Sequence, residues 1–501
     1  MGLLLGIDIG TSSVKALLFD PDTSHTLAVA GQEYPIHKPT PDRAEQDAED
    51  WWRATVIVIR RVVASVQRND VSAIGFCGQM HGGVLLDANR RPVHPAIIWA
   101  DQRSGEVCKT LIETIGAERF ASIAGTLPAA GFMIATLSWL AQNEPHTLDK
   151  TQQFILPKDY VRLHMTEQIA TDVSDAAATA AFDISQKQWS TELIQAAGLP
   201  EAIFPPVLAS SAIAGYLTTK AADELGLAAD IPVIVGCADQ PAQAIGSGLI
   251  APGLASVTTG SGGQVNVPLQ PTNGVPTDAR LHVFNHAVPG MYYVLGAILS
   301  AGLALRWLRN LVGLQNVPEA YTILSAEAAT LAPGADGLIF LPYLSGERTP
   351  HMDTFARGCF VGLSYHHGRA HLARAVMEGV AFALRQALEI SLSLSRPVGS
   401  IIAAGGGAES EVWLQIQTDI FGLPLKKSLL SEQTCIGAAL LAGVGIGYYR
   451  DFEDACSRVI RYGTPTEVNT AHQARYNALY EQYLTLYPQL RKNMFELAHQ
   501  R

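Results

Sequence analysis

The chain has 501 residues, of which 48% are hydrophobic and 16% are charged, so it is too long for one core and is expected to form two or more domains. Its 35 basic and 46 acidic side chains give a net charge of -11, and no acidic tail or block is present. This balance argues against nucleic acid or an anionic membrane as a partner. The six cysteines include no CxxC pair, which indicates reduced thiols in a cytoplasmic protein.

The first predicted element is a β-hairpin over residues 1–20, with apolar runs on both sides of a Gly-Thr-Ser-Ser turn. Glycine permits close approach of a ligand to the backbone, and Thr11, Ser12 and Ser13 offer hydroxyl donors to phosphate oxygens. Lys15 on the second strand could add a positive charge. The turn therefore predicts a phosphate site, although a solvated hairpin turn remains the alternative.

Asp8 stands at the end of the apolar run that forms the first strand. A carboxylate there is costly unless it meets a metal ion or hydrogen-bond donors. Mg²⁺, bound directly or through its water shell, is one answer. The other is that Asp8 caps its own backbone in the turn.

Two groups of polar residues follow the next predicted strands, at 71–79 and 95–101. Gln79, Met80 and His81 lie between glycines and suit a small polyhydroxylated ligand. Asp101 and Arg103 are two residues apart, so both could project the same way and grip vicinal hydroxyls. A surface ion pair is the alternative for this second group.

Residues 104–230 show short helices and few clean strands, and we interpret them as an elaboration of the first domain. The strand predicted at 231–239 ends in Asp239, at the edge where ligands bind in open α/β sheets. Asp239 could accept the proton of a hydroxyl that attacks phosphorus. It could also serve only as a helix N-cap, with Pro241 in the first turn.

The second half begins after a predicted boundary at 250/251, which gives domains at 1–250 and 251–501. Gly260 and Ser261 form a second glycine-hydroxyl turn between apolar runs, as Gly10 does in the first half, and this suggests an internal duplication. Gly405 and Gly406 close a later strand, where a neutral adenosine would fit better than phosphate.

Ser410 could belong to the adenosine site or only cap the helix that follows it. His282 and His286 are four residues apart in a strand-like segment that is a poor metal site. The uncharged stretch 287–305 reaches membrane-spanning length, but its proline and glycines favour a buried strand followed by a buried helix. Helical periodicity is present in five segments, at 47–66, 133–142, 369–394, 410–421 and 474–499. The last of these groups its tyrosines as for core packing or a homodimer contact.

Ten ordered motifs resemble those of the FGGY family of carbohydrate kinases, from the first strand to about residue 447: GIDIGTSSVKALLFD, EQDAEDWW, GQMHGGVLLD, PAIIWADQR, LPKDYVRLHMT, SDAAATAAFD, GCADQPAQAIGSG, FLPYLSGERTPH, ARAVMEGVAFAL and GGGAESEVWLQIQTDIFGLPL. The resemblance implies an α/β fold with two actin-like, ribonuclease-H-like domains around a deep cleft, the first binding sugar and the second nucleotide. It also implies MgATP as phosphoryl donor.

Within the family, GQMHG, LPKDY and SDAA favour D-xylulose over glycerol or gluconate. The resemblance implies that Asp239 is the base for the 5-hydroxyl, that Met80 and His81 contact the sugar, and that Asp8, Thr11 and Ser12 face the phosphates and Mg²⁺. The turn at Gly260 and Ser261 matches the second phosphate loop, and Gly405 and Gly406 match the adenosine loop.

The chain has Ala100 and Gln240 where family members often have asparagine, and Gly262 where they have a hydroxyl residue. These differences concern sugar selectivity. Two other interpretations therefore stay open: a kinase of the same family for ribulose, another ketose or a polyol, and an actin-like ATPase or catalytically silent sugar sensor.

Overall fold

A computed structural model describes residues 2–498. The chain forms two compact α/β units, which confirms the predicted fold class. The first unit contains the described residues up to Ile250 together with Gln270–Tyr293 and Leu430–Ile460, and the second contains the rest. One edge of this division coincides with the boundary predicted at 250/251. The return of two later segments to the first unit was not predicted.

The first unit is built on a mixed sheet with a parallel centre. Its strands run in the order Ile213–Tyr216, Pro232–Ile234, Val71–Gly78, Leu3–Ile9, Ser13–Asp20 and His25–Glu33, and Cys237–Ala238 also pairs with Val71–Gly78. The strand Leu3–Ile9 is antiparallel to its hairpin partner and parallel to Val71–Gly78. Both central strands are almost continuously apolar because helices cover both faces of the sheet.

The second unit repeats this design. Its sheet runs in the order Tyr292–Ile298, Gly263–Leu269, Leu254–Thr259, Ser400–Ala404 and Leu425–Lys427. Leu254–Thr259 is antiparallel to the strand that follows it and parallel to Ser400–Ala404, as Leu3–Ile9 is to its two neighbours. The pairing of the two glycine turns in the sequence therefore has a counterpart in the strand topology of each unit.

The remaining elements are short strands and helices around these sheets. The other strands are Glu45–Gln46, Val84–Leu86, Ala96–Ile97, Gln153–Ile155, Thr171–Asp172, Phe182–Asp183, Gln188–Trp189, Val207–Leu208, His282–Asn285, Ile339–Leu341 and Cys359–Val361. The helices of the first unit are Ala48–Val62, Gly105–Ile115, Ala117–Ala124, Met133–Asn143, Pro145–Lys150, Pro157–Thr166, Val173–Ala178, Thr191–Ala196, Glu201–Ile203, Thr219–Leu225, Asp239–Gly246, Gln433–Gly445 and Phe452–Val459. Those of the second unit are Gly302–Leu311, Ala320–Ala329, Ala335–Gly337, Arg369–Ser393, Gly406–Glu409, Glu411–Phe421 and Thr470–Ala498.

All five predicted helices are present, with ends shifted by up to four residues; position 499, the predicted end of the last one, lies outside the described residues. The uncharged stretch 287–305 forms the buried strand Tyr292–Ile298 and the start of the helix Gly302–Leu311. Along the described part of the chain, no helix is both long and apolar enough to cross a bilayer. In the last helix, Tyr476, Tyr480 and Tyr483 are buried, so core packing explains their spacing.

The helix Gln433–Gly445, which the sequence pattern did not predict, packs directly on the first sheet. A Cβ at Gly6 would lie 2.0 Å from the Cys435 carbonyl oxygen, and one at Gly75 would lie 2.0 Å from that of Ala438. Only glycine allows the helix to come this close to the two strands. This contact explains why the segment Leu430–Ile460 belongs to the first unit.

Candidate active site

Three parallel strands of the first unit end at the same level. Ile9 is in register with Gly78, and Gly78 is in register with Ala238. The residues that follow these positions are the Gly10 turn, the Gln79–His81 segment and Asp239. The fold therefore brings three of the predicted site groups to one edge of one sheet, the carboxyl edge, where α/β proteins bind their ligands.

Asp239 is the first residue of the helix Asp239–Gly246, and Ala238 occupies the N-cap position. The alternative of Asp239 as an N-cap is therefore wrong. Its carboxylate is approached by the Gln240 backbone N–H, while Oδ1 is buried and has no hydrogen-bond partner in the described structure. Burial, followed by the negative charge of Asp8, raises the pKa of Asp239 to about 7. A carboxylate with this pKa is suited to accept a proton near neutral pH.

Asp8 faces the same edge, between Lys15 on one neighbouring strand and Cys77 on the other. Burial raises the pKa of Asp8 to about 6, and the Cys77 thiol and the charge of Lys15 partly offset the effect. Its Oδ1 is also buried without a hydrogen-bond partner among the described residues. Lys15 itself forms an ion pair with Glu432 (Nζ to Oε2 2.8 Å), so a phosphate would compete with that carboxylate for its charge.

Side chains from other parts of the first unit hold the hairpin turn. The Trp99 indole N–H donates to Thr11 Oγ1 at 2.9 Å, and the Gln46 amide donates to the Thr11 carbonyl at 2.7 Å. The Tyr34 hydroxyl donates to the Gly10 carbonyl oxygen. Ser12 is exposed and Ser13 is half-buried. A turn fixed in this way presents its hydroxyl groups without further ordering, as a phosphate site requires.

The Gln79–His81 segment is packed tightly beside this turn. Gln79 donates to Gln46 Oε1 at 2.9 Å, and the Tyr293 hydroxyl contacts Met80 Sδ at 3.8 Å. His81 has a left-handed backbone (φ 72°) and stacks on Phe132 with ring centroids 3.9 Å apart. Its Nδ1 lies 2.7 Å from the Ala178 carbonyl oxygen, which requires a proton on Nδ1 and leaves Nε2 as an acceptor in the neutral ring.

Asp101 and Arg103 form a buried ion pair, so the alternative of a surface ion pair is wrong. Arg103 donates through Nε and Nη2 to the two carboxylate oxygens of Asp101 at 2.9 and 2.8 Å, and it also contacts Glu45. The Ala44 N–H donates to Asp101 Oδ2 at 2.8 Å. Arg103 Nη1 is the one buried donor of this group with no hydrogen-bond partner in the described structure. Most hydrogen-bonding groups of the ion pair are therefore satisfied by each other, by Glu45 and by the Ala44 backbone.

Two residues of this region, Glu45 and Gln46, were not predicted as functional. Gln46 joins the Gly10 turn to the Gln79–His81 segment, since it donates to the Thr11 carbonyl and accepts from Gln79. Both side chains are buried although the sequence there is polar. The only available signal was this short polar run, EQDAEDWW, ahead of a helix.

The second unit has its own cavity, of about 380 Å³. It is lined by Thr259, Gly260, Ser261, Gly302, Leu303, Leu305, Arg306, Tyr321, Ser325, Gly406, Gly407, Ser410 and Trp413. Four residues predicted to bind the nucleotide, Gly260, Ser261, Gly406 and Ser410, thus come together from two distant stretches of sequence. The volume is in the range of small-molecule sites.

Backbone contacts shape this cavity. Gly405 has a φ of 78°, and a Cβ there would lie 2.7 Å from the Thr259 carbonyl oxygen. Gly405 therefore packs against the backbone of a cavity residue but is not itself among the residues that line the cavity. Gly302 N–H donates to the Gly260 carbonyl at 2.7 Å. Ser410 Oγ accepts from the Trp413 N–H at 3.2 Å. Ser410 is therefore the N-cap of the helix Glu411–Phe421 as well as a cavity residue.

The side chains at the first unit's sheet edge fit a magnesium ion. Asp8 and Asp239 each offer a buried carboxylate oxygen with no protein donor, and Mg²⁺ is usually held by one or two carboxylates plus phosphate and water. Within residues 2–498 no three His, Cys, Asp or Glu side chains are grouped as an all-protein metal cage. His282 instead contacts Thr126 Oγ1 at 2.7 Å.

Comparison with known proteins identifies the family of the chain. The N-terminal domain of the FGGY family of carbohydrate kinases matches residues 3–246, and the C-terminal domain of the same family matches residues 255–446. The chain therefore belongs to the FGGY family of carbohydrate kinases, and the resemblance of its motifs is confirmed.

Individual relatives match over nearly their whole length. Xylulose kinase of Lactococcus lactis subsp. lactis is 34% identical over 506 residues, covering 100% of this chain and 98% of the relative. Xylulose kinase of Escherichia coli K12 is 37% identical over 443 residues, covering 88% and 90%. The crystal structure of xylulose kinase from Rhodospirillum rubrum matches with a TM-score of 0.92 at 29% identity, covering 98% of this chain and 99% of that one.

Proposed function

We propose that this protein transfers the γ-phosphoryl group of MgATP to the 5-hydroxyl of D-xylulose, giving D-xylulose 5-phosphate and ADP. The observation with the greatest weight is the common level at which the Asp8 hairpin, the Gln79–His81 segment and Asp239 follow three parallel strands. Relatives named xylulose kinase, similar over nearly the whole chain, support the choice of sugar.

The chemistry assigned to the chain's own residues is proton transfer and positioning. Asp239 accepts the proton of the sugar hydroxyl as that oxygen forms its bond to the γ-phosphorus and the bond to the ADP oxygen breaks. Asp8 and Asp239 would hold Mg²⁺, which when bound supplies positive charge to the transferring phosphoryl group. His81 and Met80 orient the sugar.

The nucleotide sites are proposed separately for each unit. In the second unit, the cavity receives adenosine against Gly406, with Gly405 packed behind it on the Thr259 backbone, and phosphate near Gly260 and Ser261. In the first unit, the hydroxyl groups of Thr11, Ser12 and Ser13 are proposed phosphate contacts. Backbone N–H groups and hydroxyls in glycine turns are suited to both tasks.

A panel of sugars tests the acceptor. ADP release from MgATP is measured with no sugar, with D-xylulose, with D- and L-ribulose, and with glycerol and gluconate. Strong stimulation by D-xylulose is expected. Stimulation by ribulose or a polyol instead would assign the chain to another acceptor of the same family. Equal ADP release with and without every sugar would favour an ATPase.

The pH dependence follows from the pKa of Asp239. Only the ionised carboxylate accepts a proton, and its pKa in the free protein is raised to about 7 by burial. We expect kcat/KM for D-xylulose to rise about tenfold per pH unit below pH 7 and to level off above it, because kcat/KM reports groups of the free enzyme. Initial rates between pH 5.5 and 8.5, with MgATP and D-xylulose both well below their KM values, check this, because the free protein is then the species that titrates. A flat profile over that range would exclude a base with this pKa.

Substitution of His81 separates sugar binding from chemistry. Asparagine tolerates the left-handed backbone at this position, so His81→Asn is expected to fold. The substitution removes the Nε2 acceptor. The KM for D-xylulose is expected to rise about tenfold, which is the loss of affinity that corresponds to one hydrogen bond, and the KM for ATP is expected to stay unchanged. Arg90→Asn is the matched control, since Arg90 also has a positive φ but lies in an exposed turn. Equal KM values for D-xylulose in the two variants would exclude His81 as a sugar contact.

A further inference from the structure

A cluster of five charged side chains lies fully buried in the first unit, in the segments LPKDYVRLHMT and SDAA. Lys158 Nζ contacts Asp159 at 2.7 Å, Asp175 at 2.9 Å and Asp172 at 3.1 Å. Arg162 Nη1 contacts Asp159 at 2.8 Å. All five side chains have zero exposure. Burying so many charges is costly, so the cluster requires an explanation beyond general stability.

The cluster is bonded to the strand segment that ends at Asp239. Arg162 Nη1 donates to the Val235 carbonyl at 2.6 Å. Ser174 Oγ donates to Asp172 Oδ2 at 2.6 Å and accepts from the Ala238 N–H at 3.0 Å. The segment 235–238 is therefore held at both ends. Arg162 of the cluster binds the Val235 carbonyl, and Ser174, which is bonded to the cluster, binds the N–H of Ala238, the residue before Asp239.

The oxygen atoms of Asp172 are occupied in a way that fixes Ser174. Asp172 is the N-cap of the helix Val173–Ala178 and accepts from the backbone N–H groups of Ser174 and Asp175. Lys158 contacts one carboxylate oxygen, and the Ser210 hydroxyl donates to the other at 2.7 Å. Because these four contacts fix the Asp172 carboxylate, the Ser174 hydroxyl that donates to it has one orientation. In that orientation its oxygen accepts the Ala238 N–H.

We propose that Ser174 is a positioning residue for Asp239, fixing the Ala238 N–H and thereby the backbone from which the base projects, while the buried ion cluster fixes Ser174. The inference rests on the proposed function of Asp239 as the base. A displacement of the order of 1 Å in a reacting group is enough to cost up to about a hundredfold in rate, so a restraint one residue away is expected to affect kcat.

The test compares Ser174→Ala with Ser190→Ala. Ser190 is also buried and its hydroxyl accepts a backbone N–H, from Leu193, at a helix start of the same unit. Ser174→Ala is expected to lower kcat about tenfold with the KM for D-xylulose changed less than about twofold. Ser190→Ala is expected to leave both values unchanged. Equal kcat values in the two variants would overturn the inference.

Amide hydrogen exchange of peptides covering residues 235–240 provides a readout that does not depend on turnover. Ser174→Ala is expected to speed exchange there about tenfold, while Ser190→Ala is expected to have no effect, because only the first removes the acceptor of Ala238. Unchanged exchange in Ser174→Ala would contradict the proposed restraint. Ser174→Cys, which keeps the volume but accepts hydrogen bonds weakly, is a second variant with the same expected direction if Ser174→Ala does not fold.

The two proposals fail differently. If the unmodified protein phosphorylates D-xylulose and Ser174→Ala retains its kcat, only the positioning role is wrong. If the unmodified protein phosphorylates no pentulose, the proposed function is wrong, and hydrogen exchange still decides whether Ser174 restrains the segment.

Discussion

Replacing Asp239 with asparagine is expected to lower kcat for D-xylulose at least about a hundredfold, since proton transfer by a positioned group commonly contributes that much or more. The amide keeps the size of the side chain but cannot accept the proton. Initial rates of ADP formation at saturating sugar and MgATP measure the effect. The KM values for both substrates identify any loss of binding.

The variant is not expected to be less stable than the parent protein. Burial and the charge of Asp8 raise the pKa of Asp239 to about 7, so the ionised carboxylate is disfavoured in the folded state at every pH above the ordinary value of about 3.9. A neutral amide removes this cost, and at pH 8 the melting temperature should be equal or higher. Asp223→Asn, on an exposed side chain, is the control for a lost surface carboxylate. Near-parental turnover in Asp239→Asn would exclude Asp239 as the base.

Replacing Lys158 with methionine is expected to lower the free energy of unfolding of the first unit by about 3–5 kcal/mol, the usual cost of removing one partner from a buried ion pair. The substitution leaves Asp159, Asp172 and Asp175 buried with only Arg162 to offset them. Urea titration followed by tryptophan fluorescence measures the loss, because Trp51 and Trp52 are part of the core of that unit.

Lys109→Met is the matched control. Lys109 pairs with Glu106 at 2.7 Å, but both side chains are more than two-thirds exposed. An exposed pair is screened by water and contributes little to the free energy of unfolding. If Lys158→Met were no less stable than Lys109→Met, loss of Lys158 would not leave buried carboxylates uncompensated, contrary to what the distances imply.

The sequence predicted those parts of the site that lie at the ends of apolar strands. The end of an apolar strand placed Asp239 at the edge of a sheet where ligands bind. The resemblance to the FGGY family placed Asp8 and the Gln79–His81 segment at the same site. The five predicted helices were also correct, and the clearest apolar face is that of Ala48–Val62, whose buried residues include Trp51, Val58 and Val62. Both patterns are local in the sequence. They predict the structure correctly because the apolar faces that they define are the faces that pack in the folded protein.

Contacts between distant segments could not be predicted in this way. The ion pair of Asp101 and Arg103 is buried because Glu45 and Ala44, more than fifty residues earlier, complete it. The helix Gln433–Gly445 is apolar on all sides, so its periodicity gave no sign that it packs on Gly6 and Gly75 of the first sheet. The strand predicted at 231–239 is interrupted at Gly236, where a Cβ would lie 2.6 Å from the Phe76 carbonyl oxygen.

The proposed reaction is tested most directly by ³¹P nuclear magnetic resonance of one mixture of protein, MgATP and D-xylulose. The γ-phosphate signal is expected to be replaced by that of a sugar phosphate monoester at the 5-position, in amounts equal to the ADP formed. Without sugar, the ATP signals should persist over the same period. Release of inorganic phosphate with no sugar ester, at the same rate with and without D-xylulose, would contradict it.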